Sequence, residues 1–208
     1  MNNTYKSLRS RFLYLWILFI SLIIIGCAAE KGLRSLFPSE TGFSAYTISG
    51  STITFSNSSL KVEVLPINPD YSGEINPFIM GLLGQGFTIF SIKIENISNE
   101  KVIYNPAFTA IIDNFMGYNK PLDYTDMYDL VRYRDDGEMI LKKIQGQFYD
   151  LATTVMPGES AAKFLIFGRL QEESSKATLI MQEVYIGTET IALRFPFIFK
   201  VYAPSPSL

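Results

Sequence analysis

The chain has 208 residues, 18 of them basic and 20 acidic, for a net charge of −2, and it contains no histidine and a single cysteine. Without histidine there is no Ser-His-Asp or Cys-His device and no zinc site built on imidazole. No G-x-x-x-x-G-K-[ST] loop and no strand leading into G-x-G-x-x-G occurs, and the charge balance leaves no basic footprint for nucleic acid.

The run from Phe12 to Ile25 has no charged residue, Lys6, Arg9 and Arg11 stand before it, and Gly26-Cys27 closes it. A basic start, an apolar middle and a small residue at the exit are the parts of a secretory leader. The order Ile24-Ile25-Gly26-Cys27 resembles the lipobox of bacterial lipoproteins. That resemblance implies a leader over residues 1–26, cut before a cysteine that carries a diacylglyceryl group and usually a third acyl chain. Each buried acyl CH₂ contributes roughly 0.8 kcal/mol, so several chains hold a protein on a membrane where one does not. The alternative is an uncleaved signal anchor, for which the run is short of the roughly 20 residues a spanning helix prefers. Both readings place everything after Cys27 outside the cytoplasm, because the basic flank stays inside.

Residues 27–44 read as a lipidated N-terminus and tether, with small, charged and turn residues and no sustained period; Leu33, Leu36 and Phe37 fit at most a helical turn. From Tyr46 to Phe55 β-branched and aromatic residues dominate, which predicts a strand. Asn57-Ser58-Ser59 predicts a turn, and Leu60-Lys-Val-Glu-Val64 alternates as a half-buried strand does. Asn68 to Gly86 reads as a long connection with an apolar middle, Pro77-Phe-Ile-Met-Gly-Leu-Leu-Gly84. Two uses fit it: a cover packed by its own side chains, or an exposed tip that meets a partner or membrane through Phe78, Met80, Leu82 and Leu83.

Phe87 to Glu95 is the clearest strand, with Phe90, Ile92 and Ile94 on one face and Ser91, Lys93 and Glu95 on the other. Strands follow at Val102–Tyr104 and Phe108–Asp113, parted by Asn105-Pro106. Between 122 and 151 the period changes. Tyr124, Met127, Tyr128 and Val131 share a helical face, with core packing the expected use of the two tyrosines. Ile140, Ile144 and Phe148 recur four apart, so a helical insertion is expected. Strands resume at Thr153–Met156, Ala162–Ile166 and Ala177–Ile186. After a turn at Gly187-Thr188-Glu189-Thr190, a last strand places Ile191, Leu193, Phe195, Phe197, Phe199 and Val201 on one face, and Pro196 within it predicts an edge or a bulge. Residues 204–208 form a tail.

The series Phe90-Ser-Ile-Lys-Ile-Glu-Asn-Ile-Ser98, a proline-terminated strand, and Val155-Met-Pro-Gly-Glu-Ser160 leading into Phe164-Leu-Ile-Phe167 resembles the telokin-like Ig-like extracytoplasmic domains of many bacterial lipoproteins. The expected fold is therefore mainly β: an Ig-like β-sandwich over residues 45–203 with a helical insertion at about 122–151, behind a lipoprotein signal peptide. The family carries no catalytic motif, so the resemblance assigns no site residues.

Two further patterns carry chemistry. Asp123, Asp126 and Asp129, near Asp135, Asp136 and Glu138, supply oxygen density that suits a hard cation, but their spacing is not that of an EF-hand loop and also fits a solvated helix face. Asn57-Ser-Ser59 and Asn96-Ile-Ser98 match the glycosylation pattern and read as turns. No cofactor is expected. The expected role is a membrane-held envelope protein, attached through lipid on Cys27, that binds or scaffolds another envelope protein. Ala28, rather than Asp, after the cysteine implies by the same resemblance the outer membrane, facing the periplasm. The alternative is a carboxylate-based enzyme, using residues such as Asp126 or Glu138, or a small-ligand-binding protein.

Overall fold

A computed structural model of the protein describes residues 34–201. The leader, Cys27, the first part of the expected tether and the 204–208 tail lie outside the described residues. In chain order the elements are β1 (Arg34–Pro38), β2 (Tyr46–Ser49), β3 (Thr52–Ser56), β4 (Leu60–Pro66), α1 (Pro77–Gly84), β5 (Thr88–Asn96), β6 (Val102–Tyr104), a 3₁₀ turn (Pro106–Phe108) and β7 (Thr109–Asp113). There follow β8 (Tyr118–Asn119), α2 (Tyr124–Val131), α3 (Gly137–Ile144), β9 (Thr153–Val155), β10 (Ser160–Phe167), β11 (Lys176–Ile186) and β12 (Glu189–Val201).

The strands form two antiparallel sheets. One has five strands in the order β10-β5-β4-β3-β2; the other has seven, in the order β1-β12-β11-β6-β9, with β7 also on β11 and β8 on β7. Alternation explains how they meet. Leu60, Val62 and Val64 of β4 and Phe90, Ile92 and Ile94 of β5 point inward, as do Leu193, Phe195 and Phe197 of β12, and all join one core. Aromatic pairs cross between the sheets: Phe90 meets Phe197 with ring centroids 5.1 Å apart, and Tyr46 meets Phe195 at 5.6 Å. At the same core Tyr104 and Tyr149 pack edge to face at 5.0 Å.

A second core lies on the other face of the five-stranded sheet. Ile89 of β5 and Ile166 of β10 point away from the first core and pack with Ile67 beneath the helices. Ile79 and Leu82 of α1, Met127 and Val131 of α2, and Ile140, Leu141 and Ile144 of α3 cover them, with Phe148. Each helix has a reason to start where it does. Asn76 caps α1, its Oδ1 accepting the Phe78 N–H at 2.9 Å, and Pro77 stands at the first helical position, where a missing N–H costs nothing. Asp123 and Asp126 form a reciprocal capping box on α2. α3 has Glu138 in its first turn and Lys142 and Lys143 in its last, complementing the helix dipole.

Several expectations are corrected. The expected tether contributes a strand at Arg34–Pro38, paired with β12 from Val201 to Phe197, so Leu36 and Phe37 are not in a helical turn. The stretch from Tyr46 to Phe55 is a hairpin rather than one strand: Ser49 pairs with Thr52, and Gly50 supplies the positive φ of 59° that the tight turn needs. The apolar middle of the 68–86 connection is the helix α1, not a loop. The turn after β11 is only Gly187-Thr188, since Ile186 already pairs with Glu189. Pro196 sits where β1 ends. Its carbonyl accepts the Ser39 N–H at 2.9 Å, and its missing N–H falls beyond the last pair, Pro38 with Phe197. The bulge is in the partner strand, where Gln182 and Glu183 together oppose Ala192.

Candidate contact surfaces

The expected contact residues of the 78–83 stretch divide by helix face. Leu82 is 2% exposed and belongs to the second core, so it is not available to a partner; Ile79 beside it is likewise buried. Phe78 and Leu83 are half-buried and pack against the same core, and Met80 is half-buried. The stretch is a cover over the five-stranded sheet, because its apolar side has a sheet face to meet.

The tyrosines also divide. Tyr104 and Tyr149 are buried; the Tyr104 hydroxyl bonds Thr109 Oγ1 at 2.8 Å, and the Tyr149 hydroxyl donates to the Ala161 carbonyl at 3.1 Å. Burial pushes both phenols far above their usual range, in Tyr104 against the pull of its bond to Thr109, so they stay neutral. Tyr124 and Tyr128 were expected to pack inward with Met127 and Val131. Instead they are exposed, about half open each, and lie one helical turn apart on the solvent side of α2. Tyr133, just past the helix, is 86% exposed, and Tyr118 is exposed as well. A helix of eight residues on a sheet has room for one buried stripe, and Met127 and Val131 fill it.

Four of the acidic residues are occupied locally. Asp123 Oδ1 accepts the Thr125 and Asp126 N–H groups at 2.8 and 3.0 Å, and Asp126 Oδ2 accepts the Asp123 N–H at 3.0 Å. Asp129 pairs with Arg132 at 3.0 Å and Asp136 with Arg134 at 2.9 Å. Among the described residues, no group of three acidic, histidine or cysteine side chains converges to hold a metal ion.

Asp113 is a buried carboxylate. Burial raises its pKa, but the Gly117 N–H, the Ser174 hydroxyl and the Phe115 N–H all donate to it, and together they hold it below the usual carboxylate range. Its partners make it a joint between the β7–β8 turn and the loop before β11. Asn96 is wholly buried and bonds Glu100 and Val155 carbonyls through Nδ2 at 2.7 and 2.9 Å, while Asn57 Oδ1 accepts the Ser59 and Leu60 N–H groups. Both asparagines are turn formers, as expected from sequence.

The sheet edges are finished differently. The outer edge of β10 is covered: its Phe164 and Ile166 carbonyls accept the Tyr149 and Leu122 N–H groups at 2.8 and 2.7 Å, and its Phe164 N–H donates to Gln147 at 2.9 Å. The outer edge of β1 is plugged by one side chain, Asn68, whose Oδ1 accepts the Leu36 N–H at 2.8 Å and whose Nδ2 donates to the Leu36 carbonyl at 2.9 Å. Among the described residues β2 pairs only with β3. Beside it opens a cleft of about 720 Å³, lined by Pro38, Glu40, Thr41, Gly42, Phe43, Ser44, Tyr46 and Ile48. Phe43 and Ile48 are 73% and 42% exposed. Sequence reasoning missed Asn68, Phe43 and Ile48. The uncharged run from Thr41 to Phe55, apart from any motif, was the available signal for an open edge.

No protein-family model matches the chain, and no curated protein matches it. Among solved structures, the crystal structure of the yjhA protein from Bacillus subtilis is similar at 15% identity with a TM-score of 0.36, over 62% of this chain and 76% of that one. A likeness that weak carries no argument about this protein.

Proposed function

We propose that the chain is a lipid-anchored protein of the bacterial cell envelope, held through Cys27 at the outer membrane, whose Ig-like β-sandwich binds or scaffolds another envelope protein. The Gly26-Cys27 close of an apolar, basic-flanked run supports the anchor, and two antiparallel sheets sharing a core suit a sandwich. The observation that carries the binding role is the exposed pair Tyr124 and Tyr128 on α2, with Tyr133 beyond it. Tyrosine offers a large apolar area and a polar tip with few rotatable bonds, which is why contact surfaces use it. Met127 and Val131 already fill the buried stripe, so about half of each of the Tyr124 and Tyr128 side chains is left to solvent.

The test is site-specific photocrosslinking in intact membranes from the source organism, with the probe at position 128 and, as a control on the same layer, at Lys142. A discrete adduct from position 128, absent from the control, and lost with Tyr124→Ser, is the expected result. Equal labelling from both positions, or none, refutes the role of this surface.

A further inference from the structure

We propose that β2 is a self-pairing edge: two copies of this chain join antiparallel along residues 47–49, on a two-fold axis through Ile48. The backbone parity of the strand is fixed by its hairpin. The Ser56 N–H donates to the Ala45 carbonyl at 2.9 Å and the β2–β3 turn holds two residues, so Ala45, Thr47 and Ser49 direct their backbone groups at β3. Tyr46 and Ile48 therefore direct theirs outward. The Tyr46 N–H turns back to the Phe43 carbonyl at 3.1 Å. What remains on the edge is the Ile48 N–H and carbonyl and the Tyr46 carbonyl, which have no partner among the described residues.

A second copy is the occupant this edge fits. Placed on a two-fold axis, the Ile48 N–H of each copy meets the Ile48 carbonyl of the other, so donor and acceptor match reciprocally, as an isologous contact requires. The same register sets Thr47 opposite Ser49, a hydroxyl pair that stabilises cross-strand contacts. No charge stands between Tyr46 and Phe55, so no like charges face each other within the paired strands themselves. Ile48 shares the inward face with Tyr46 and neighbours the wholly buried Ile53, yet remains 42% exposed, and its counterpart from the second copy would cover it. Among the described residues, the other long edges carry a covering segment or a plugging side chain, and this one carries none of the usual blunting devices except its length of four residues. So short a ladder gives a weak, concentration-dependent dimer.

The inference does not depend on the proposed binding role of the helical layer. It is tested on the full chain in density-matched detergent by sedimentation velocity over a dilution series. The expected result is a mass that rises with concentration towards two chains per particle. Ile48→Pro removes an outward N–H and Ile48→Lys adds an edge charge; each should hold the mass at one chain while leaving the melting temperature within a few degrees. Independently, in a full chain carrying Cys27→Ser, Ile48→Cys should form a disulfide dimer on oxidation at least tenfold faster than Lys61→Cys. Strand pairing would set the two Cα atoms about 5.5 Å apart, within disulfide reach. One chain per particle at every concentration overturns the proposal and leaves the edge to a different kind of partner. A dimer that persists in both Ile48 variants, or equal crosslinking at 48 and 61, also overturns it.

Discussion

The two cores of this molecule use the same sheet in different ways. The inter-sheet core is aromatic and closed on both sides by strands: Phe90, Phe167, Phe195 and Phe197 sit in it with essentially no exposure. The outer core is mainly aliphatic, built from Ile67, Ile79, Leu82, Ile89, Ile144 and Ile166 with Phe148 at its side, and is closed on one side by three short helices. Helices of eight residues are marginal alone and owe their order to the face they bury. The helical layer is therefore the more easily opened part, and the part whose solvent face carries side chains that packing does not claim. Stability resides between the sheets, and adaptable surface resides on the helices.

Removing a ring from the inner core should break this contrast most severely. Phe90 touches Phe167 at a centroid distance of 6.0 Å and Phe197 at 5.1 Å, so Phe90→Ala leaves a cavity that strands on both sides cannot collapse into. A loss of about 4 kcal/mol is expected, seen as a lower midpoint in chemical denaturation with every spectroscopic probe shifting together. Leu82→Ala sharpens the comparison. It should cost about 3 kcal/mol locally, and hydrogen exchange should show the amides of 77–84, 124–131 and 137–144 opening well before those of β4 and β5. If the inner strands exchange as fast as the helices, the layers are one cooperative unit.

The same contrast explains what was legible in the residues. Strands with one covered face announce themselves by alternation, so Leu60–Val64 and Phe90–Glu95 were placed on the correct face. Strands covered on both faces lose alternation and become continuous apolar runs. Phe164-Leu165-Ile166-Phe167 is such a run: Leu165 and Phe167 enter the inner core while Ile166 enters the outer one. Read only as one more strand, it hid the second layer. The helix α1 was hidden by Gly81 and Gly84, which suggest a loop, although Asn76-Pro77 is a recognisable helix start. The exposed Tyr124 and Tyr128 were misplaced because a face of four residues was assumed to be wholly buried. Arg34–Pro38 was illegible locally, since its strand depends on β12, far along the chain.

The smallest expected effect concerns the acids that suggested a cation site. Asp123 and Asp126 spend their oxygens on the first turn of α2, which would otherwise leave N–H groups unpaired, and Asp129 turns to Arg132. This use is a matter of helix termini and needs no ion. Asp123→Ala should therefore destabilise the helical layer by about 1 kcal/mol, and Asp123→Ser, which keeps a capping oxygen but no charge, should recover most of it. Both effects are read as shifts in melting temperature and as faster exchange at Asp126 and Met127. Added Ca²⁺ should leave the melting temperature of the unsubstituted protein unchanged. A stabilisation by Ca²⁺ that Asp123→Ser abolishes would show instead that the acids serve a cation, and that the helical layer owes part of its order to it.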